Sequence, residues 1–345
     1  MPLTTIPRTD PTSILRYRDG LYAVDLLTAA IIEFDFFTKL AETPGSQEEI
    51  CKQFGWAPRP TDVLVTLCKS NGYLSEEPEG TIRVTGLAKE HLVSGSPWCL
   101  AGYYESLKDR PVAKDFIRVM KTGKPAHWSG HKDADADWHK AMLSEDFAVA
   151  FTASMDCRGV FLGKVLADHL AADLADRHRV LDIGGGSGVY ACALAANHPH
   201  LTAAVMEQAP VDAVAREKIS GRGLDDKVEV IVADMFQGKW PKDADVHLFS
   251  NVMHDWDIPE IQQLLGHSAD SLPSGGLIAV HETFLNADKT GPLPVAEYSC
   301  ILMHSTQGRC YSTTEMFDLL DSAGFVDPRF QETAGDRGVI VARKA

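Results

Sequence analysis

Val180-Leu-Asp-Ile-Gly-Gly-Gly-Ser-Gly188 is the stretch on which the reading of this chain turns. A short apolar strand feeds a glycine-rich turn that opens a helix, so the backbone there can approach a ligand closely. Such a loop alone serves nucleotide-binding enzymes of many kinds. Two acids narrow it. Glu207 ends the next strand, about 20 residues past the last glycine, where a carboxylate can accept both hydroxyls of a ribose. Asp182 sits inside the motif, ahead of the glycines. A dinucleotide loop spaces its glycines differently because it must take a pyrophosphate. This one suits a cofactor with an amino group and no phosphate.

Outward from the motif, the chain beyond Arg179 alternates short apolar strands with segments of helical period. Residues 180–183, 203–206, 228–232, 246–249 and 277–280 read as strands, which predicts an α/β domain with a mostly parallel, doubly wound sheet. The N-terminal part differs. Residues 12–42 carry apolar side chains at helical spacing, among them Ile31, Phe34 and Phe37. Ser46 and Glu49 form a capping-box pattern for a helix through Phe54, and another helix spans Pro60 to Ser70. Tyr73 to Val84 reads as a hairpin with an acidic turn. Helices followed by a hairpin make a winged-helix pattern, but residues 41–95 hold five basic against eight acidic residues, and the whole chain carries −15. Electrostatics supplies most nucleic-acid affinity, so this is read as a dimer-forming wing and not a nucleic-acid reader. The expected division is a dimerisation domain over 1–95, a helical linker over 96–160 and a catalytic domain over 161–345. The linker region is rich in Trp98, Tyr103, Tyr104, Trp128, Trp138, Phe147, Phe151 and Met155. Most must be helix core, while Phe151 and Met155 are candidates for a pocket wall.

Seven scattered cysteines (51, 68, 99, 157, 192, 300 and 310) show no C-x-x-C pair and read as reduced thiols. Met1 to Asp10 has no apolar core, and no stretch nears 18 apolar residues. The expectation is a cytoplasmic homodimer with no membrane and no nucleic-acid partner.

Three motifs together carry a family resemblance: Leu181 to Gly188, Ala233-Asp-Met-Phe236 and Asn251-Val-Met-His-Asp-Trp256. They resemble the caffeate and acetylserotonin O-methyltransferases, from about Phe151 to the C-terminus, with a matching N-terminal pattern. The resemblance implies S-adenosylmethionine as co-substrate and a small-molecule methyl acceptor. Gly184 and Gly186 would pass beneath the methionine part, Glu207 would bind the ribose, Asp234 would face the adenine amino group and Met235 its ring. A carboxylate accepts an N–H, and a thioether packs on an aromatic face. His254 would be the general base that takes the acceptor's proton, work that suits an imidazole near neutrality. Glu282 matches the first of two glutamates that flank this base in the family.

The chain also departs from the family. Cys310 stands where the second glutamate is expected, and Ser250 where many plant members carry lysine. A cysteine cannot orient an imidazole as a carboxylate does. Arg309 and Tyr311 are expected to project from the loop covering the acceptor, and Arg158 follows Phe151 and Met155; an arginine fork is the natural partner of an acceptor carboxylate. His304 completes the candidate acceptor residues. With His254 and Asp255 it also resembles the His-Asp-His metal set of α-keto acid C-methyltransferases, although the favoured reading has no metal. Transfer to oxygen is the main expectation. Transfer to a thioether acid, to an α-keto acid carbon or to an amine nitrogen stays open, as does a winged-helix regulator that merely senses the cofactor.

Overall fold

The structure, a computed structural model, describes residues 2–126 and 142–345; Trp128 and Trp138 lie outside the described residues. In chain order the helices are α1 Thr12–Asp19, α2 Ala23–Thr28, α3 Phe36–Glu42, α4 Gln47–Phe54 and α5 Pro58–Ser70. The strands β1 Leu74–Glu76 and β2 Ile82–Val84 follow, then α6 Gly86–His91, α7 Pro111–Thr122 and α8 Glu145–His169. The remainder runs β3 Arg179–Ile183, α9 Val189–Asn197, β4 Thr202–Glu207, α10 Val211–Gly221, β5 Val228–Val232, β6 Val246–Ser250 and α11 Ile258–Ser271. It ends with β7 Leu277–Glu282, α12 Leu293–Ser305, α13 Thr313–Ser322, β8 Phe325–Glu332 and β9 Gly338–Lys344.

Two compact units divide these elements. One comprises 1–13, 138–284 and 313–345, the other 14–137 and 285–312. Neither expected boundary separates them. Residue 95 lies within the second unit, and residue 160 lies inside the unbroken helix α8. The segment 285–312, expected in the catalytic domain, belongs to the helical unit because α12 is buried in that unit's core.

In the first unit a seven-stranded sheet has the order β5-β4-β3-β6-β7-β9-β8, parallel through β7 and antiparallel at β9 and β8. All five strands expected from the apolar runs are present. The chain winds outward from β3 through β4 to β5, then returns to lay β6 on the other side of β3. The order therefore reverses between β3 and β6, and open α/β sheets bind ligands at the carboxyl ends beside such a reversal. Helix α8 crosses α9 at very close range: a Cβ added at Gly159 would lie 2.3 Å from Val189 Cγ1.

The helical unit is built around Leu26, Phe36, Phe37, Leu64, Leu67, Phe116, Cys300 and Met303. Ser46 caps α4 with the expected box, its hydroxyl accepting from Glu49 N–H while Glu49 accepts from Ser46 N–H. The long helical pattern of 12–42 is interrupted at Gly20 and again at Asp35, which adopts φ 48°. Ile31, Phe34 and Phe37, apolar side chains of the region expected to form the dimer, turn into this core. The apolar side chains left outside are Ile14, Tyr17, Leu21 and Val24, with Tyr17 92% exposed. Arg59 spans the unit, donating to the carbonyls of Met303 (3.1 Å), Gly308 (2.8 Å) and Gly123 (2.7 Å). All seven cysteines are free thiols. Among the described residues no helix is long and apolar enough to cross a membrane.

Candidate active site

The glycine turn after β3 has the geometry its composition demands. Gly184 and Gly186 take φ 63° and 56°, a region that side chains with a Cβ disfavour. A Cβ at Gly186 would meet nothing within 4 Å, whereas one at Gly184 would touch Val252 and the Met235 sulfur. The turn therefore packs against the protein at Gly184 and is open at Gly186. Glu207, at the end of β4, reaches back to accept from Gly186 N–H (3.1 Å) and Gln208 N–H (2.9 Å). Asp182 is fully buried behind the turn. Its Oδ2 accepts from Ala191 N–H (3.3 Å), and its Oδ1 finds no donor among the described residues. Burial pushes both carboxyls up to about 7. An open backbone turn flanked by the Glu207 carboxyl and by the under-satisfied Asp182 carboxyl fits a ligand that brings hydroxyl and amino donors.

The loop after β5 supplies Asp234 and Met235. Asp234 Oδ1 accepts from Phe236 N–H (2.9 Å), and the Trp240 indole donates to Met235 O (3.0 Å), so the loop is tied down at both residues. Phe236 and Trp256 meet edge to face at 4.5 Å.

His254 lies in a one-turn helix, Met253–Asp255, just past β6. Its Nδ1 is 2.5 Å from Glu282 Oε2, and the two side chains are 6% and 3% exposed. Glu282 Oε1 in turn accepts from the N–H groups of Val252 (2.7 Å) and Met253 (2.8 Å). The carboxylate is thus held by the turn that carries the histidine. Asp255 Oδ1 lies 3.7 Å from the other ring nitrogen, Nε2. Burial lowers the affinity of His254 for a proton, but Glu282 and Asp255 together outweigh it, and the net shift is upward. Asp255 itself is raised to about 6, chiefly by burial.

Phe151, Met155 and Arg158 follow at intervals of four and three along α8, which puts them on one helix face. Phe151 stacks against Phe147. The charge of Arg158 is felt by both His254 and Asp255, lowering the proton affinity of each.

The remaining candidates sit in the helical unit and are engaged there. Arg309, in the loop after α12, is buried, its Nη1 3.1 Å from Asp62, with its guanidinium stacked 4.4 Å from the Tyr311 ring centre. Asp62 also pairs with Lys289 at 2.9 Å, and Tyr311 is buried. Cys310 is buried as well, donating its N–H to Ser299 Oγ (3.0 Å). His304 lies between the rings of Tyr22 and Phe116, with Nε2 3.2 Å from Asp115. Each histidine of the alternative metal set thus has its own carboxylate. Among the described residues no three His, Cys, Asp or Glu side chains are grouped to hold a metal ion.

Tyr190, Asn251 and His281 were not singled out from the sequence. They form a partly buried polar cluster with Ser250 and Thr333 near the ends of β6 and β7. The signal for Asn251 was its residue type: asparagine right after a strand tolerates the left-handed region, and its φ is 57°.

Residues 120–326 match the O-methyltransferase domain family. A 3-hydroxy-5-methyl-1-naphthoate 3-O-methyltransferase of Streptomyces sahachiroi is 32% identical over 343 residues, covering 97% of this chain and 96% of its own. An O-methyltransferase family 2 protein of Planctomyces limnophilus DSM 3776, solved in complex with apigenin, superposes with a TM-score of 0.88 at 30% identity over 99% of this chain and 98% of that one. Human N-acetylserotonin methyltransferase, solved with S-adenosylmethionine, superposes with a TM-score of 0.62 at 25% identity over 99% of this chain and all of its own.

Proposed function

Because this chain belongs to the O-methyltransferase family and is an S-adenosylmethionine-dependent methyltransferase acting on small molecules, we propose that it methylates a hydroxyl of a carboxylate-bearing acceptor, with His254 as general base. The observation that carries this reading is the 2.5 Å contact of His254 Nδ1 with Glu282, itself locked by two backbone N–H groups. A carboxylate at Nδ1 selects the tautomer with its proton there, which leaves the Nε2 lone pair to take a proton. A thioether acceptor would have no use for such a pair.

The bound co-substrate supplies a methyl group on a sulfonium, already activated for transfer. Gly184, Gly186, Glu207, Asp182, Asp234 and Met235 are proposed to hold it, the carboxylates taking its hydroxyl and amino donors. His254 Nε2 takes the acceptor's hydroxyl proton. Glu282 keeps the ring oriented and stabilises the imidazolium. Phe151 and Met155 form an apolar wall, and Arg158 offers a cation beside the reacting centre. The carboxylate in the acceptor is supported by that cation, and by the naphthoate relative acting on an aromatic acid. The N-terminal helices and hairpin form a winged, dimer-forming region in this reading.

His254→Ala lowers turnover by roughly 10²- to 10⁴-fold and leaves S-adenosylhomocysteine affinity intact. The wild-type rate falls on acidification through a limb above the ordinary imidazole value, because the folded protein holds the His254 proton more tightly and only the neutral ring is a base. A rate flat between pH 6 and 9 overturns the base assignment and favours a thioether acceptor. Activity abolished by a chelator and restored by metal favours carbon methylation instead. For the acceptor class, Arg158→Leu is expected to erase the preference for a hydroxynaphthoate over its carboxamide.

A further inference from the structure

Glu282 is held by one side of a joint between two strand ends, and the other side is a chain of hydrogen bonds. Ser250 on β6 is in register with His281 on β7. Asn251 N–H donates to His281 O (2.9 Å), which continues the pairing one residue past the strand. The Asn251 side-chain amide donates to Tyr190 Oη (3.1 Å) and to Ser250 Oγ (3.2 Å). Ser250 Oγ lies 2.8 Å from His281 Nδ1, and Thr333 Oγ1 lies 3.4 Å from His281 Nε2.

Burial, with Arg337, Arg158 and His169, pushes His281 down to about 3, so it is neutral with one donor and one acceptor nitrogen. Ser250 accepts from Asn251, and the neutral His281 ring joins Ser250 Oγ at Nδ1 to Thr333 Oγ1 at Nε2, one nitrogen donating and the other accepting. The Asn251 amide nitrogen, Ser250 and His281 are thereby linked in one chain, while Asn251 Oδ1 finds no donor among the described residues.

Side chains alternate along a strand, so His281 and Glu282 leave β7 on opposite faces. Asn251 is in the left-handed region, a conformation that most residues disfavour and that nearby side-chain hydrogen bonds can support. The next two residues, Val252 and Met253, are those whose N–H groups grip Glu282. The third is His254.

From this we infer that Tyr190, Ser250 and His281 are positioning residues for the methyl-transfer base: together they hold Asn251 in its left-handed turn and so fix Glu282 against His254. None of the three touches His254 through a contact described above. Their reach is through the backbone of 251–253. The inference rests on the reading of His254 as base, but its geometric half can be measured without catalysis.

The test uses the full-length protein saturated with S-adenosylhomocysteine, with His254 followed by histidine-selective NMR and assigned through the loss of its signal in His254→Ala. The groups acting on this ring are Glu282 from β7, Asp255 from its own turn and Arg158 from α8. Tyr190→Phe removes only the oxygen that accepts from Asn251. Weakening the hold of Glu282 leaves burial to prevail, so the His254 titration moves down by about one unit. The acid limb of the pH–rate profile moves with it, and kcat falls about tenfold while the KM for co-substrate changes less than about twofold. His281→Leu has a similar effect, and His281→Asn, which keeps a polar group near Ser250, restores part of it. An unmoved His254 titration in both Tyr190→Phe and His281→Leu overturns the inference. So does a loss of S-adenosylhomocysteine affinity parallel to the loss of kcat, since the network would then serve the cofactor cleft. Full turnover in His254→Ala removes the base reading alone, and the titration still decides the positioning role.

Discussion

Single carboxyl groups are expected to set the pH behaviour of the proposed co-substrate cleft. Asp182 and Glu207 are both raised to about 7 by burial, yet in the proposed cofactor-binding role they would accept hydroxyl and amino donors best as carboxylates. Occupancy therefore favours proton release, and S-adenosylhomocysteine affinity is expected to weaken as pH falls from 8 to 6, approaching tenfold per unit for each group below its pKa. The sign for folding is the reverse. The ligand-free folded chain holds these protons more tightly than the unfolded one, so their contribution to stability is present below the ordinary carboxylate range and lost as pH rises through about 7. Melting curves with and without S-adenosylhomocysteine at pH 6 and 8 separate the two trends. Glu207→Ala is expected to cost about 2 to 4 kcal/mol of ligand affinity by calorimetry. Glu207→Gln flattens much of the pH dependence. A normal affinity in Glu207→Ala sinks the ribose assignment.

At the scale of elements, the crossing of α8 over α9 links the acceptor residues to the glycine turn. Val189 opens α9 directly after Gly188, and its branched, stiff side chain fills the space above Gly159. Gly159→Ala brings a methyl into that space and is expected to destabilise by about 1 to 3 kcal/mol, read as a lower melting temperature. Because α8 carries Phe151, Met155 and Arg158, the acceptor KM rises as well. An unchanged KM would show that their placement does not depend on this crossing. Elements of this kind also show what was legible beforehand. The strands, the glycine turn, the capping box at Ser46 and the His254–Glu282 pairing are local patterns or a resemblance, and they are visible in one dimension. Arg309 was misplaced because its partner Asp62 is far away in sequence, and no local pattern announces an ion pair of that span. Tyr190 was missed for a similar reason. A tyrosine in an apolar helix reads as core until its hydroxyl is seen to meet Asn251.

For the whole molecule, association is the property most open to measurement. Ile14, Tyr17, Leu21 and Val24 leave an exposed apolar surface on α1 and α2, and such surfaces on soluble proteins commonly mark interaction sites. Light scattering at micromolar concentration is expected to give a dimer, and Tyr17→Glu with Leu21→Glu to shift it toward monomer without altering the melting of the core. A monomer in the unaltered protein sinks this expectation. The division of the chain carries a consequence for its synthesis. The helical unit contains 14–137 and also 285–312, and α12 is buried in its core. A nascent chain that has emerged through α7 still lacks that helix, and the ribosome must add about 170 more residues before it appears, roughly 10 to 35 s at ordinary elongation rates. For that interval α5 lacks the late helix that packs against it, so the N-terminal half leaves the ribosome before it can close its core. A slow-translating stretch between α7 and α12 would lengthen its exposure to chaperones and to aggregation, whereas faster elongation there would shorten it.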